Sequence, residues 1–510
     1  MNRSKAIWAI SAVLVTTVAL AGSAQATEQG ATSENTPASA FGSLSASWSD
    51  PGAQTGDEFG IATSISGDTA IVGALYAGPN QFGRAYIYTE AASGWPSDPS
   101  VELDAPPADT NLDDFGLSVA VAGDTAVVGA PGNDENDGAA YVYTKGPSGW
   151  PTTPSYTLVD PSPYPGIYFG WSVAASGNTI IVGDLAGLAY IYTKEPSGWP
   201  TTPPVALSSQ GNFFGSSVAV SGSSAVVGGR EDTAYVYDES ASGWPTSPTA
   251  TLVDPGGDAA DSFGYTVAVS GNTVAVGAYQ ASGGDGAAYA YTKSSSGWPA
   301  DPSATMLDPN GTSGDGFGYS VAASPGTVVV GSLPESDLSG SAYVYLEHSS
   351  MWQTTPSALV SDPAPLPSGD YFGSSVAVSG PTALVGAPHL NTFAGETYAF
   401  SVLPKNPLNT VLPQVSGSLS SGEAVVKDPG KWIGPKPLTY RFQWERCSGP
   451  SSSSGCAQIP GATNGHQYVL RSSDVGKYLT IKVTATDSSG GHGTAVAVPV
   501  GPVVKANLRS

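Results

Sequence analysis

The side chains that could carry out catalysis are few and scattered. The sequence has four histidines, His348, His389, His466 and His492, which are far apart along the chain. It has no nucleophile elbow, no zinc-ligand pair and no phosphate-binding Gly loop followed by Lys. Acidic residues are abundant, so a pair of carboxylates acting as acid and base remains open as a hydrolytic alternative. We therefore predict no catalytic residues and no organic cofactor, and expect a protein that is not an enzyme.

Two acidic stretches have oxygen-bearing side chains at alternate positions, as a calcium loop does. Neither stretch has the distal Glu that completes an EF-hand loop, and Asp137-Gly138 also fits the chemistry of a hairpin turn. Calcium is therefore a candidate ligand rather than a required one. The candidate residues are Asn133, Asp134 and Asp137 in one stretch and Asp109, Asn111 and Asp113 in the other.

The only two cysteines, Cys447 and Cys456, are close in sequence. In a secreted chain, an isolated pair at this spacing predicts one local disulfide rather than a zinc or redox site. In the loop-entropy model, such a bond stabilises the fold by about 2–3 kcal/mol.

The first residues of the chain are typical of a secretory signal peptide. Arg3 and Lys5 precede an apolar run, and Ala24-Gln25-Ala26 fits a cleavage site. We predict a signal peptide over residues 1–26, with an uncleaved anchor as the alternative, and a flexible leader over 27–41. No second apolar run of that length follows. The expected location is extracellular, either free or loosely held at the cell surface, with no membrane span after cleavage.

Charge divides the remaining chain into two parts. The whole sequence has 42 acidic and 18 basic residues, which argues against nucleic-acid binding because phosphates would be repelled. Residues 27–403 hold 37 acidic and 5 basic residues, whereas residues 404–510 hold 5 acidic and 11 basic residues. This break predicts a domain boundary, with a linker over residues 404–413.

A repeat of about 50 residues organises the acidic part. Each unit opens on a Phe-Gly pair, continues with two short apolar runs and a Tyr-x-Tyr run, and in most copies reaches a Ser-Gly-Trp-Pro corner. The Phe-Gly pairs are Phe59-Gly60, Phe115-Gly116, Phe169-Gly170, Phe214-Gly215, Phe263-Gly264, Phe317-Gly318 and Phe372-Gly373.

The alternation of apolar and small residues, with tight Gly-containing turns, predicts four antiparallel strands per unit, which we name A to D. Four strands in about 50 residues are typical of a β-propeller blade, and a stacked solenoid is the alternative. The seventh unit has strands A to C only. Residues 44–48 precede the first Phe-Gly pair and match strand D of the other units. We therefore predict an all-β, seven-bladed propeller over residues 42–403, closed by the N-terminal strand.

These units resemble FG-GAP repeats, which build the propeller of integrin α subunits and occur in many bacterial secreted proteins. The Gly-Ala-Pro element of the repeat is complete at Gly129-Ala130-Pro131 and Gly386-Ala387-Pro388 and partial elsewhere. Integrin-type repeats carry calcium loops between strands A and B. The corresponding connections here, such as Ser270-Gly271-Asn272, are too short to wrap a calcium ion, so calcium does not carry over at those positions.

Two recurring side chains have both a structural and a functional interpretation. The Trp of each Ser-Gly-Trp-Pro corner could stack on carbohydrate, but a fixed corner favours packing between neighbouring blades. The Asp two residues before five of the seven Phe-Gly pairs could form a ring of ligands, but capping of nearby backbone N–H groups is favoured. These aspartates are Asp57, Asp113, Asp261, Asp315 and Asp370.

The basic part is predicted to form a β-sandwich over residues 414–504, followed by a tail over 505–510. It resembles the Ig-like modules of secreted bacterial proteins. Trp444 occupies the place of the buried core Trp, and Asp474-Val475-Gly476-Lys477-Tyr478 looks like a tyrosine corner. Thr480 stands where that family has its second core Cys, so the inter-sheet disulfide is absent.

The connections B–C and D–A vary in length and sequence, and they hold most of the acids of the repeats. Variable loops on one face of a repeat array usually carry binding. The leading hypothesis is a secreted, monomeric, non-enzymatic binding or adhesion protein that presents this acidic face to an extracellular protein or glycan. A hydrolase acting on surface glycans or lipids is one alternative. A structural component of the cell envelope is another.

Overall fold

The computed structural model describes most of the chain after residue 41. The described residues are 42–106, 113–200, 205–208, 213–229, 233–257, 259–309, 311, 314–333, 339–366, 369–402, 404, 406–434, 438–451, 455–463, 467–487 and 490–506. The predicted signal peptide and leader therefore lie outside the described residues. Within the described ranges, no helix is long and apolar enough to cross a membrane.

The repeat region consists of consecutive antiparallel sheets, each built from four strands in the order A-B-C-D. Strand B is buried along its whole length in most sheets, because neighbouring sheets cover both of its faces. In sheet 1, strands A to D are Phe59–Ser66, Thr69–Ala74, Arg84–Thr89 and Val101–Asp104. In sheet 2 they are Ser118–Ala122, Thr125–Ala130, Ala139–Thr144 and Tyr156–Leu158. In sheet 3 they are Ser172–Ser176, Thr179–Gly183, Leu188–Thr193 and Val205–Ser208.

Sheets 4 to 6 repeat this pattern, and sheet 6 carries an extra short strand, Met351–Trp352. In sheet 4, strands A to D are Ser217–Ser221, Ser224–Gly228, Thr233–Asp238 and Ala250–Val253. In sheet 5 they are Thr266–Ser270, Thr273–Ala278, Ala287–Thr292 and Ala304–Met306. In sheet 6 they are Phe317–Ser324, Thr327–Ser332, Ser341–His348 and Ala358–Val360. The short helical turns in the described residues are Pro79–Gln81, Asn133–Asn136, Ala259–Asp261, Ala281–Gly284, Leu390–Phe393 and Ser472–Asp474.

Sheet 7 joins the two ends of the repeat region. Its strands A to C are Ser375–Ser379, Thr382–Ala387 and Glu396–Ser401, and its fourth strand is the N-terminal segment Ser43–Trp48. That segment pairs antiparallel with strand C from Ser43 opposite Ser401 to Trp48 opposite Thr397. The prediction that residues 44–48 supply the missing strand D is confirmed.

Strand A of each sheet lies against strand A of the next sheet, and the series returns from sheet 7 to sheet 1. The glycines of the repeat allow this close approach. A methyl group on Gly129 would overlap the carbonyl oxygen of Gly170 in the next sheet, and one on Gly386 would overlap that of Gly60. The Phe-Gly and Gly-Ala elements are therefore the two sides of one contact between sheets, which fits a β-propeller.

The Trp corners pack between neighbouring sheets, as predicted. Trp199, for example, belongs to one buried cluster with Leu158 of sheet 2 and Val182 of sheet 3, and only 3 % of its surface is exposed. The structural interpretation of this residue therefore holds, and the ring is not free to stack on a sugar.

The C-terminal module has two main antiparallel sheets around a common core that contains Trp444, which is almost fully buried. Cys447 and Cys456 form the predicted disulfide. The two sheets consist of Gln414–Gly417, Ala424–Asp428 and Gln467–Val469, and of Ala457–Thr463, Thr439–Cys447, Tyr478–Thr486 and His492–Val496.

The segment predicted as a linker, residues 404–413, contains a strand instead of a free connection. Leu408–Val411 pairs with Lys431–Ile433, and the backbone N–H groups of Ser349 and Ser350 donate to the carbonyls of Asn409 and Thr410. Ser350 belongs to the sixth corner, which lacks the Ser-Gly-Trp-Pro sequence. The altered corner is thus the place where the C-terminal module contacts the repeat region.

The Asn409 side chain holds together the two short strands of this segment, and its replacement should weaken their pairing. The Asn409 side-chain amide donates to the carbonyls of Val411 (2.8 Å) and Lys431 (3.0 Å), and the residue is 2 % exposed. We expect Asn409→Ala to lower the free energy of unfolding by about 1–3 kcal/mol in urea denaturation, because the Val411 and Lys431 carbonyls lose their donor. Ser416→Ala, at an exposed strand position, is the control, and an equal effect of both changes would contradict this assignment.

Candidate binding face

Seven residues surround the end of the ring where the D–A connections enter strand A. Each immediately precedes a Phe-Gly pair, and we name them the mouth ring. Every member has a positive φ, between 52° and 62°, although six of the seven are not glycine. The members are Glu58, Asp114, Tyr168, Phe213, Ser262, Gly316 and Tyr371.

The fold imposes this backbone conformation. The Phe that follows each member is almost completely buried and packs against the first Tyr of strand C in its own sheet, as Phe115 does against Tyr141 at 5.7 Å between ring centres. The chain then turns at once, and Ile61 N–H, for example, donates to the carbonyl of Glu58 (3.2 Å). A left-handed residue costs roughly 1–2 kcal/mol, and such strain is concentrated at functional sites.

Glu58 is the member with the most unusual environment. Its side chain is 6 % exposed, and its Oε2 atom has no hydrogen-bond partner among the described residues. Burial raises the pKa of the Glu58 carboxyl to about 7, and the nearby Asp114 carboxylate acts in the same direction. A buried acid without a donor is costly, so its presence indicates a group that awaits a partner.

Two tyrosines lie near Glu58. Tyr76 lies close enough to Glu58 and Asp114 for their charges to add to the effect of burial, which raises the Tyr76 pKa. Burial and Glu58 likewise raise the pKa of Tyr371, whose ring centre is 3.7 Å from that of His389. Burial lowers the pKa of His389 to about 4, so this imidazole is neutral at pH 7.

A second aromatic group occupies the same face at sheets 5 and 6. The rings of Tyr265, Tyr279 and Tyr319 contact one another at centre distances of 4.5–5.7 Å. Tyr265 and Tyr319 directly follow Phe-Gly pairs, and Tyr279 begins a B–C connection. The faces of such rings attract cations.

The Asp two residues before a Phe-Gly pair caps backbone N–H groups at two positions, Asp370 and Asp57, as predicted. The Phe372 N–H donates to Asp370 Oδ1 (3.0 Å), and the Gln54 N–H donates to Asp57. A second set of aspartate caps lies at the end of strand D and was not predicted from the sequence. There Asp50, Asp160 and Asp362 accept the N–H two residues later at 2.7–2.8 Å. The Asp-Pro pairs that recur after strand D could have indicated these caps in the sequence.

The acids of this face carry less charge than their number suggests. Burial, followed by a hydrogen bond with Asp370, raises the pKa of Asp362. Burial raises the pKa of Asp184, which is completely buried, to about 6. The negative potential therefore depends on pH near neutrality, which a count of residues does not show.

The calcium candidates do not form a coordination shell in the described residues. Asn133–Asn136 is a short turn, in which Asp134 and Glu135 are exposed and have positive φ. Asp113 is buried, whereas Asp109 and Asn111 lie outside the described residues. No group of three or more His, Cys, Asp or Glu side chains in the described ranges is placed to hold a metal ion.

Sequence comparison agrees with this geometry. A family model described as FG-GAP repeat matches residues 46–88, 107–143, 246–291, 303–345 and 365–400. The chain contains FG-GAP repeats. The two Phe-Gly units outside these matches keep only the first Gly of the Gly-Ala-Pro element, at Gly183 and Gly228. No curated protein matches the chain.

Proposed function

We propose that this chain is a secreted, non-enzymatic binding or adhesion protein, built as a seven-bladed FG-GAP propeller followed by an Ig-like sandwich. The ring of sheets 1 to 7 and its closure by Ser43–Trp48 support the blade count. The two-sheet core around Trp444 supports the Ig-like assignment. The partner is an extracellular protein or glycan that binds at the mouth ring.

The observation that carries this proposal is the buried Glu58 carboxyl. Its unpartnered oxygen, the neighbouring Asp114 and the nearby Tyr76 and Tyr371 form a site that is complementary to a cationic group such as an ammonium. Two carboxylates supply too few oxygen atoms for calcium, which takes six to eight. An ammonium, by contrast, has three donors that carboxylate oxygens can accept, and it is also attracted to the faces of aromatic rings.

A pair of matched probes tests this function. Nα-acetyl-lysine methylamide should bind the full mature chain at pH 8, whereas the norleucine analogue, which lacks the amine, should bind at least tenfold more weakly. Glu58→Gln should remove this difference, and Glu135→Gln, an exposed change on the same face, should preserve it. Equal binding of the two probes to the wild-type chain would overturn the proposal.

One observation favours a hydrolase as the second candidate. A carboxyl that is protonated near pH 7 beside another carboxylate is the arrangement of an acid–base pair. Release of sugar or fatty acid from surface glycans or lipids by the wild-type chain, lost in both Glu58→Gln and Asp114→Asn, would replace the binding function with catalysis.

A further inference from the structure

The C-terminal module contains a cavity of about 380 Å³ that is separate from the mouth ring. It lies between the edges of its two sheets, where Ala457–Thr463 and Gln467–Val469 are neighbours without pairing. Thr463, Gln467 and Arg471 line it, and Trp444 and Tyr468 reach it from the core. Its volume suits one small polar ligand, of the size of a single sugar ring.

The side chain of Trp444 gives this cavity its chemical character. The residue is 1 % exposed, and its indole N–H has no acceptor among the described residues. An indole nitrogen can only donate, and a buried donor without an acceptor costs free energy. A ligand that brings an acceptor into the cavity would recover that cost.

The other polar groups of the cavity can also donate, and one is permanently charged. Thr463 offers a hydroxyl, Gln467 an amide and Arg471 a guanidinium, which lies over the Tyr468 ring at 5.7 Å. Asp474, a buried acid of the same module, is hydrogen-bonded to other groups. Its oxygens accept from the Arg446 side chain, from the Tyr468 hydroxyl at 2.9 Å and from the Arg471 backbone N–H at 2.7 Å.

We propose that this cavity binds a carboxylate-bearing saccharide unit, such as a hexuronic acid of an acidic polysaccharide. The carboxylate pairs with the Arg471 guanidinium. A ring oxygen or hydroxyl accepts from the Trp444 N–H, and the remaining hydroxyls contact Thr463 and Gln467. The module would then bind an anionic glycan, independently of the cationic group expected at the propeller.

Ligand-observed NMR on the full mature chain tests this site with three probes: glucuronate, glucose and acetate. Glucuronate should bind saturably. Glucose, which lacks the carboxylate, should bind about tenfold more weakly, and acetate, which lacks the sugar ring, should bind without saturation. Arg471→Gln should weaken glucuronate binding about tenfold and abolish the preference over glucose. Trp444→Phe, which keeps an aromatic ring but removes the N–H, should weaken it about fivefold.

Arg441→Gln is the matched control, because Arg441 is an exposed arginine of the same module that does not line the cavity. It should leave glucuronate binding unchanged. If Trp444→Phe lowers the melting temperature of the module, Arg471→Gln alone decides the outcome. Absence of glucuronate binding, or binding that is unaffected by Arg471→Gln, would overturn the proposal.

Discussion

Gly386→Ala should lower the free energy of unfolding by about 3 kcal/mol, because the added methyl group cannot fit where sheet 7 meets sheet 1. It would overlap the carbonyl oxygen of Gly60, which belongs to the backbone and cannot rotate away. Relief requires the two sheets to separate, and overpacking of this kind costs about 1–3 kcal/mol, or more where the backbone is rigid. Urea denaturation of residues 27–510 measures the change.

Gly146→Ala provides the control for this prediction. A methyl group on Gly146 would meet no atom within 4 Å, and its backbone does not require glycine. We expect a change within about 0.5 kcal/mol. If Gly386→Ala were equally harmless, sheets 7 and 1 would not be in the close contact that closes the ring.

Glu58→Gln should stabilise the protein at pH 8 by about 2–3 kcal/mol. Burial raises the pKa of Glu58 from 4.5 to about 7. Between these pH values the folded state keeps a proton that the unfolded state releases. The native state is therefore favoured at low pH and loses this stability as pH rises from about 4.5 through the folded-state pKa of about 7. Glutamine is neutral at every pH, so the gain should be absent near pH 4, grow as pH rises towards 7 and be complete at pH 8.

Melting temperatures at pH 4 and pH 8 measure this effect, with Glu135→Gln as the control. Glu135 is exposed on the same face, and its replacement should change stability by less than about 0.5 kcal/mol at either pH. A stability gain for Glu58→Gln that is the same at pH 4 and pH 8 would show that packing, rather than ionisation, is responsible.

Features that repeat were predictable from the sequence. Seven Phe-Gly pairs at similar spacing indicate seven similar units, and the strand at residues 44–48 follows from counting strands. The packing role of Trp199 and the buried position of Trp444 also follow, because their sequence contexts recur or are specific. Strand periodicity and turn-forming residues are local properties of the sequence, so they indicate strands and turns without knowledge of distant contacts.

Features that depend on contacts between distant residues were not predictable. The residue types of Glu58 and Tyr371 do not indicate a positive φ, because the fold imposes that conformation on whichever residue precedes a Phe-Gly pair. The lack of a partner for Glu58 depends on groups from sheets 1, 2 and 7. The strand within residues 404–413 was not predicted, because Asn409 and Thr410 gain partners near the sixth corner, some 60 residues away.

The pH dependence of ammonium binding tests the central claim most directly. Nα-acetyl-lysine methylamide keeps its charge from pH 6 to pH 8, whereas a Glu58 carboxyl with a pKa of about 7 changes from mostly protonated to mostly ionised. Calorimetric titration of residues 27–510 should therefore show binding about tenfold tighter at pH 8 than at pH 6, with no such change in Glu58→Gln. Binding that is equal at the two pH values, or a pH dependence that persists in Glu58→Gln, would contradict the account.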